Sequence, residues 1–135
     1  MAYLLDTDIC IYLMNGRYPQ VEDRLKQCSP DEVALSSIVV SELRYGAANS
    51  AHPARNHATL DVFLAAFEVL AYDYRAAHVY GDIRAHLQKT SQPIGSTDLF
   101  IAAHALAHQQ ILVTNNVREF GRVPNLQCEN WVEML

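Results

Sequence analysis

Short apolar runs alternate along this chain with longer stretches in which apolar residues return every third or fourth position. AYLLD (2–6), VALSS (33–37), EVLAY (68–72) and ILVT (111–114) are the short runs and read as strands, with an edge strand expected around Leu126 to Glu129. The intervening stretches read as helices. DICIYLMNG ends on Gly16, placed to stop a helix, and PQVEDRLKQ opens with a proline suited to a first helical turn. IVVSELRYGAA follows Ser36 and Ser37, either of which can cap it. Leu60, Phe63, Leu64 and Phe67 stripe the next helix, and Ala76, Val79, Ile83 and Leu87 stripe one running to about Thr90. SQPIGST is a turn, DLFIAAHALAH a further helix, and the tail carries an NN turn and a short REF segment. Strands alternating with helices predict an α/β fold, with a central parallel sheet of about four or five strands covered by helices on both faces.

Length and composition narrow the picture without deciding function. At 135 residues the chain fits one domain, spanning 1–135, that buries roughly two thirds of its unfolded surface. No internal repeat or linker divides it. No apolar run approaches the ~20 residues of a membrane span, and no basic start leads into a signal-type core, so a cytoplasmic protein is expected. Cys10, Cys28 and Cys128 are odd in number and form no CxxC pair, which argues for three small buried residues over disulfides or a zinc cluster. The formal net charge of −5 lends no support to a nucleic-acid partner. Such a partner has to be argued from a site.

The opening LLDTDICIYL sets two aspartates inside an apolar run. Sites in open parallel sheets form beyond the carboxyl ends of strands, and Asp6 falls at such an end. Asp98 begins a helix behind Ser96 and Thr97, where the helix dipole favours its charge. Glu42 sits within the helix after the second strand, beside Val39, Val40 and Leu43. Converging carboxylates repel by about 3 kcal/mol per pair at ~6 Å and an effective dielectric near 20. A hard divalent cation removes that cost, and magnesium or manganese with carboxylate ligands makes a phosphate-ester site.

These residues also resemble a known family. LLDTDICIYL, SSIVVSELRYGA, PIGSTDLFIAAHAL and ILVTNNVREF, in that order over nearly the whole chain, resemble the PIN-domain ribonucleases, specifically the VapC-type toxins of bacterial toxin–antitoxin pairs. The resemblance implies a single PIN-like domain acting as a metal-dependent endoribonuclease. Asp6, Glu42 and Asp98 would be its catalytic, Mg2+-binding (or Mn2+-binding) acids, with Thr7 and Thr114 holding carboxylates and metal waters in place. Asn116 stands where many members have an aspartate, so the fourth carboxylate is missing there; Asp8 is an extra acid that could partly compensate, although an exposed capping role at a helix start is the commoner use of such an Asp. The substrate implied is structured RNA, a tRNA or rRNA loop, cut by water attack on phosphorus to give 5′-phosphate and 3′-hydroxyl ends. A cognate VapB-type antitoxin and a homodimer are the implied partners. Arg44, Arg17 and Lys89 lie near the motifs in sequence and are the candidates for RNA backbone contacts.

The alternatives are fewer. DTD after a strand also resembles the haloacid-dehalogenase phosphatases, but these and phosphoryl-receiver domains need a late lysine, and none follows Thr114. A catalytically inactive PIN-like RNA- or protein-binding module is the non-enzyme reading, argued only from Asn116. His104 and His108 are four apart but have no glutamate between them, so they read as ordinary helix residues at a surface or interface. Trp131, Tyr45, Tyr72, Tyr74 and Tyr80 read as packing residues.

Overall fold

The computed structural model describes residues 2–133. Five strands, β1 (Tyr3–Leu5), β2 (Val33–Ser36), β3 (Glu68–Leu70), β4 (Ile111–Val113) and β5 (Cys128–Glu129), form one sheet in the order β3-β2-β1-β4-β5. All four neighbouring pairs are parallel. The central runs are short and mostly apolar because both faces of the sheet are covered: Leu4, Leu5, Leu35, Leu112 and Val113 are all fully buried.

Seven helices connect the strands. α1 (Thr7–Asn15) and α2 (Pro19–Lys26) lead to β2 through a 3-10 turn (Pro30–Glu32), and α3 (Ser37–Ala48) and α4 (Pro53–Leu64) lead to β3. α5 (Tyr74–Lys89) and α6 (Ser96–Ala107) lead to β4, and α7 (Val117–Phe120) lies between β4 and β5. The first two crossovers step one way from β1 and the last two step the other way. Right-handed connections therefore place α1 to α4 on one face and α5 to α7 on the opposite face. The order reverses between β1 and β4, so the crevice beyond their carboxyl ends is the switch point at which α/β sheets bind ligands.

Local chemistry sets the boundaries. Gly16 ends α1 with φ 67° and its N–H on the Tyr12 carbonyl at 2.9 Å, a left-handed position that suits glycine. Ser36 rather than Ser37 caps α3, accepting from the Ile38 N–H at 3.1 Å. The apolar stripe ending in Phe67 outruns its helix: α4 stops at Leu64, and Phe67 packs back on Phe63 from the following turn, ring centroids 5.0 Å apart. α6 begins at Ser96, two residues before Asp98, and is apolar nearly all round, so it is the most buried helix.

Trp131 is fully buried, edge-on to Tyr3 at 5.5 Å, with the Arg24 guanidinium 5.0 Å from its ring. Tyr72 and Tyr80 pack on Phe100. Tyr45 and Tyr74 do not fit the packing expectation: they are 69% and 89% exposed. The three cysteines are free, Cys10 buried and Cys28 and Cys128 half-buried. Among the described residues no helix is long and apolar enough to cross a membrane.

Candidate active site

Asp6 follows the last residue of β1 and is the N-cap of α1, so one short segment both ends a strand and starts a helix. Its Oδ1 accepts from the Thr7 N–H at 2.8 Å and its Oδ2 from the Thr114 hydroxyl at 2.7 Å. Thr114 sits just past β4, so this second bond crosses the switch point. The Thr7 hydroxyl donates to Glu42 Oε1 at 2.6 Å, tying α3 to the start of α1. Both threonines thus hold the carboxylates named from the sequence.

Asp8 is half-buried and turned into the same crevice. Its Oδ1 accepts from the Ile9 N–H at 2.8 Å, and its carboxyl also meets the Asn115 N–H and Asp6. Burial, then the neighbouring Asp8 charge, pushes Asp6 from an ordinary 3.8 up to about 7, against the opposing hydrogen bonds from Thr114 and Thr7. Burial likewise raises Asp8. Asp98, on the first turn of α6, is pushed up to about 7 by burial, by its hydrogen bond with Glu119, and by the charges of Glu119, Asp6 and Glu42.

Glu119 is the residue that sequence reasoning missed. Asn116 lacks the carboxylate that many members of the resembled family carry there, and Glu119 brings a carboxylate one helical turn further on, on α7. Partial burial opposes its ionisation, but the Gly95 N–H at 2.7 Å, the Asp98 carboxyl and the Asn116 amide at 2.5 Å outweigh that and lower it. A hydrogen bond between two carboxyl groups needs one proton; burial favours it on Asp98, and the donors around Glu119 favour charge there. Asn116 is exposed, and it serves this acid by orienting it. The sequence signal was present in the REF segment three residues past Asn116, but only the turn after β4 shows which residue faces Asp98.

Five acids therefore converge on one crevice, and among the described residues none of them forms a salt bridge with Lys or Arg. As placed, no three His, Cys, Asp or Glu side chains among the described residues are gathered as a ready ligand cage. The donor set is nonetheless all oxygen, anionic and electrostatically strained, which fits a hard divalent cation and no softer metal. Glu42 also lines a groove of about 470 Å³ between α1, α3 and α4, whose apolar walls include Ile11, Met14, Leu43 and Leu60.

The basic candidates fare differently. Arg44 is turned onto α4, 2.5 Å from Asp61 and 3.1 Å from His57 Nδ1, so its charge is already engaged. Arg17 lies against the rings of Tyr12 and Tyr18 at 5.9 and 5.2 Å, and Lys89 is exposed in the last turn of α5. A helix turns successive residues to different faces, so closeness in sequence does not by itself place a side chain at the crevice. Arg118 and Arg122 flank Glu119 and were not singled out; Arg122 donates to the Pro93 carbonyl at 2.9 Å, and its charge helps lower Glu119. His104 and His108 are not exposed. His104 is fully buried, and His108 is half-buried, 2.9 Å from Asp73.

Comparison with known proteins agrees with this geometry. The PIN domain family model matches residues 3–126. The chain is 40% identical over 132 residues to Ribonuclease VapC2 of Rickettsia felis, covering 97% of this chain and 98% of that protein. It is 40% identical over 131 residues to the tRNA(fMet)-specific endonuclease VapC of Shigella flexneri, covering 97% and 98%. The crystal structure of VapBC2 from Rickettsia felis bound to a DNA fragment from their promoter superposes with a TM-score of 0.91 at 39% identity, covering 97% of this chain and 99% of that one.

Proposed function

The chain belongs to the PIN-domain family, in its VapC group, and from that membership we propose that it is a divalent-cation-dependent endoribonuclease toxin acting on structured RNA. The observation that carries this reading is the cluster of Asp6, Glu42, Asp98 and Glu119 at the switch point, without a salt-bridged cation among the described residues. Asp6 and Asp98 are the principal residues that would hold Mg2+ or Mn2+, with Glu42 and Glu119 completing the anionic set. When bound, such a cation supplies a nucleophilic water at neutral pH and stabilises charge on the departing 3′ oxygen.

The chain's own residues do the rest. Thr7 fixes Glu42 and Thr114 fixes Asp6, so neither carboxylate has to reorganise during the reaction. A cation held by Asp98 would favour its ionised form, and Asn116 and the Gly95 N–H hold Glu119 in place. Arg118 and Arg122 flank the cluster and are suited to the RNA backbone. No 2′-hydroxyl takes part, so the products carry 5′-phosphate and 3′-hydroxyl ends.

The Shigella relative's name specifies tRNA(fMet), which supports a tRNA or rRNA loop as the substrate here. A VapB-type antitoxin is the proposed partner in the cytoplasm. An apolar segment of it would lie in the groove of Ile11, Met14 and Leu60, and an Arg or Lys would reach the acids beside Glu42. Two copies would pair through helical faces. The inactive-module reading loses its one argument, since Glu119 supplies the acid absent at 116.

The test is incubation of the purified chain with total tRNA and rRNA and Mg2+, with mapping of the 5′ ends. Discrete cuts bearing 5′-phosphates, absent in Asp6→Asn and after chelation, are expected. Cleavage that persists in Asp6→Asn, or products ending in cyclic phosphate, would sink the reading.

A further inference from the structure

His104 is a fully buried polar side chain outside the acid cluster. It lies on α6, six residues beyond Asp98, is fully buried, and its Nδ1 is 2.7 Å from the Ser36 hydroxyl, itself fully buried. Ser36 ends β2 and caps α3, six residues before Glu42. The register Tyr3 with Val33 and Leu4 with Ala34, carried two residues on, sets Ser36 level with Asp6. The His104–Ser36 bond therefore joins the helix that presents Asp98 to the helix that presents Glu42, at the carboxyl end of the sheet where Asp6 stands.

The Ser36 hydroxyl can donate one hydrogen bond and accept two. Its oxygen already accepts from the Ile38 N–H at 3.1 Å, and its one proton has the His104 nitrogen as its buried partner. Donation by Ser36 to a bare Nδ1 puts the proton on Nε2 and leaves the ring neutral; the serine's second lone pair also allows Nδ1–H to donate to it, and the ring tautomer separates the two. His104 Nε2 is buried and has no hydrogen-bond partner among the described residues. An orphaned buried donor costs about 1 to 3 kcal/mol, which an apolar residue would avoid if packing were the only requirement at 104. Burial also lowers the pKa of His104, in keeping with a neutral ring.

We propose that His104 is a positioning residue of the acid cluster: as a neutral acceptor for Ser36 it fixes α3 against α6 and so sets the spacing of Glu42 and Asp98. This rests on the reading of the cluster as a cation-dependent nuclease site. The test compares His104→Leu, which removes the acceptor, with His104→Asn, whose amide oxygen can stand in for Nδ1. Three quantities are measured on each full-length protein: melting temperature without cation, its rise with Mg2+, and RNA cleavage against Mg2+ concentration. His104→Leu is expected to fold, to show a smaller Mg2+-dependent rise, and to need about 10- to 100-fold more Mg2+ for half-maximal cleavage. His104→Asn should restore the original Mg2+ response.

A folded His104→Leu with the original Mg2+ response, or a His104→Asn as impaired as His104→Leu, would overturn the proposal. Nitrogen NMR of the histidine rings of the unsubstituted protein gives a readout independent of both variants. A protonated Nε2 and bare Nδ1 at neutral pH are expected, and a proton on Nδ1 would overturn the assignment. If the original chain binds Mg2+ but cleaves no RNA, the nuclease reading fails, while the tautomer and the Mg2+-dependent melting still decide the role of His104.

Discussion

Asn116 and Glu119 together stand where the resembled family often has one aspartate. Glu119 brings the charge and Asn116, outside it, holds the charge in place. Glu119→Gln should therefore cut cleavage severely at every Mg2+ concentration, whereas Asn116→Ala should raise the Mg2+ needed for half-maximal cleavage by about 10-fold and leave the saturated rate nearly unchanged. Cleavage titrations of both variants check this; equal effects would place the two residues in the same role. Charge at the same residues makes a pH prediction. Asp6 and Asp98 are raised from an ordinary 3.8 to about 7, so between those values the folded cation-free protein binds more protons than the unfolded chain. Its stability is then greatest below about pH 4 with respect to these two groups and falls as pH rises through about 7. Asp98→Asn should flatten that fall and raise cation-free stability at pH 8 by roughly 1 to 3 kcal/mol while abolishing cleavage. Urea melts across pH, with and without Mg2+, measure it; a variant less stable than the original would make Asp98 a structural residue.

At the scale of elements, the site depends on helices that begin where strands end. Asp6 caps α1, Ser36 caps α3, and α7 starts immediately after the turn carrying Thr114. α7 is a single turn, too short to hold its own shape. It is fixed instead by Glu119 on the Gly95 N–H, by Arg122 on the Pro93 carbonyl, and by its buried Phe120. Gly121 closes it where an added Cβ would lie 2.7 Å from the Val117 carbonyl oxygen. Gly121→Ala must therefore shift backbone that carries Glu119. We expect a loss of about 1 to 3 kcal/mol in stability together with a weakened Mg2+ response. An alanine variant with the original melting curve and cleavage would show that α7 adjusts freely.

The whole molecule presents two surfaces that meet at Glu42: the acidic crevice and the apolar groove of α1, α3 and α4. Ile11, 43% exposed in that groove, contributes to no part of the acid cluster. Ile11→Asp should leave folding and RNA cleavage intact but weaken antitoxin binding by about 10-fold or more, the usual range for an apolar anchor in an interface. Co-purification and titration with the cognate antitoxin check it, and unchanged affinity would move the antitoxin off this groove.

How far the sequence carries can be judged from particular residues. Four apolar runs and their intervening stripes were enough to predict a parallel α/β sheet, because strands buried on both faces must be apolar and helices must show one apolar face. Asp6 and Asp98 were legible because each stands at an element boundary. Glu119, Arg122 and the His104–Ser36 bond were not legible, since they depend on which face a turn or helix presents after the chain has crossed the sheet. Phe67 continued a helical stripe yet lies past the end of α4, where tertiary packing overrode periodicity. Local sequence determined which elements form, through periodicity and capping; the tertiary fold alone decided which of the charged residues meet, because residues 6, 42, 98 and 119 come together only through the strand order that sets β1 beside β4.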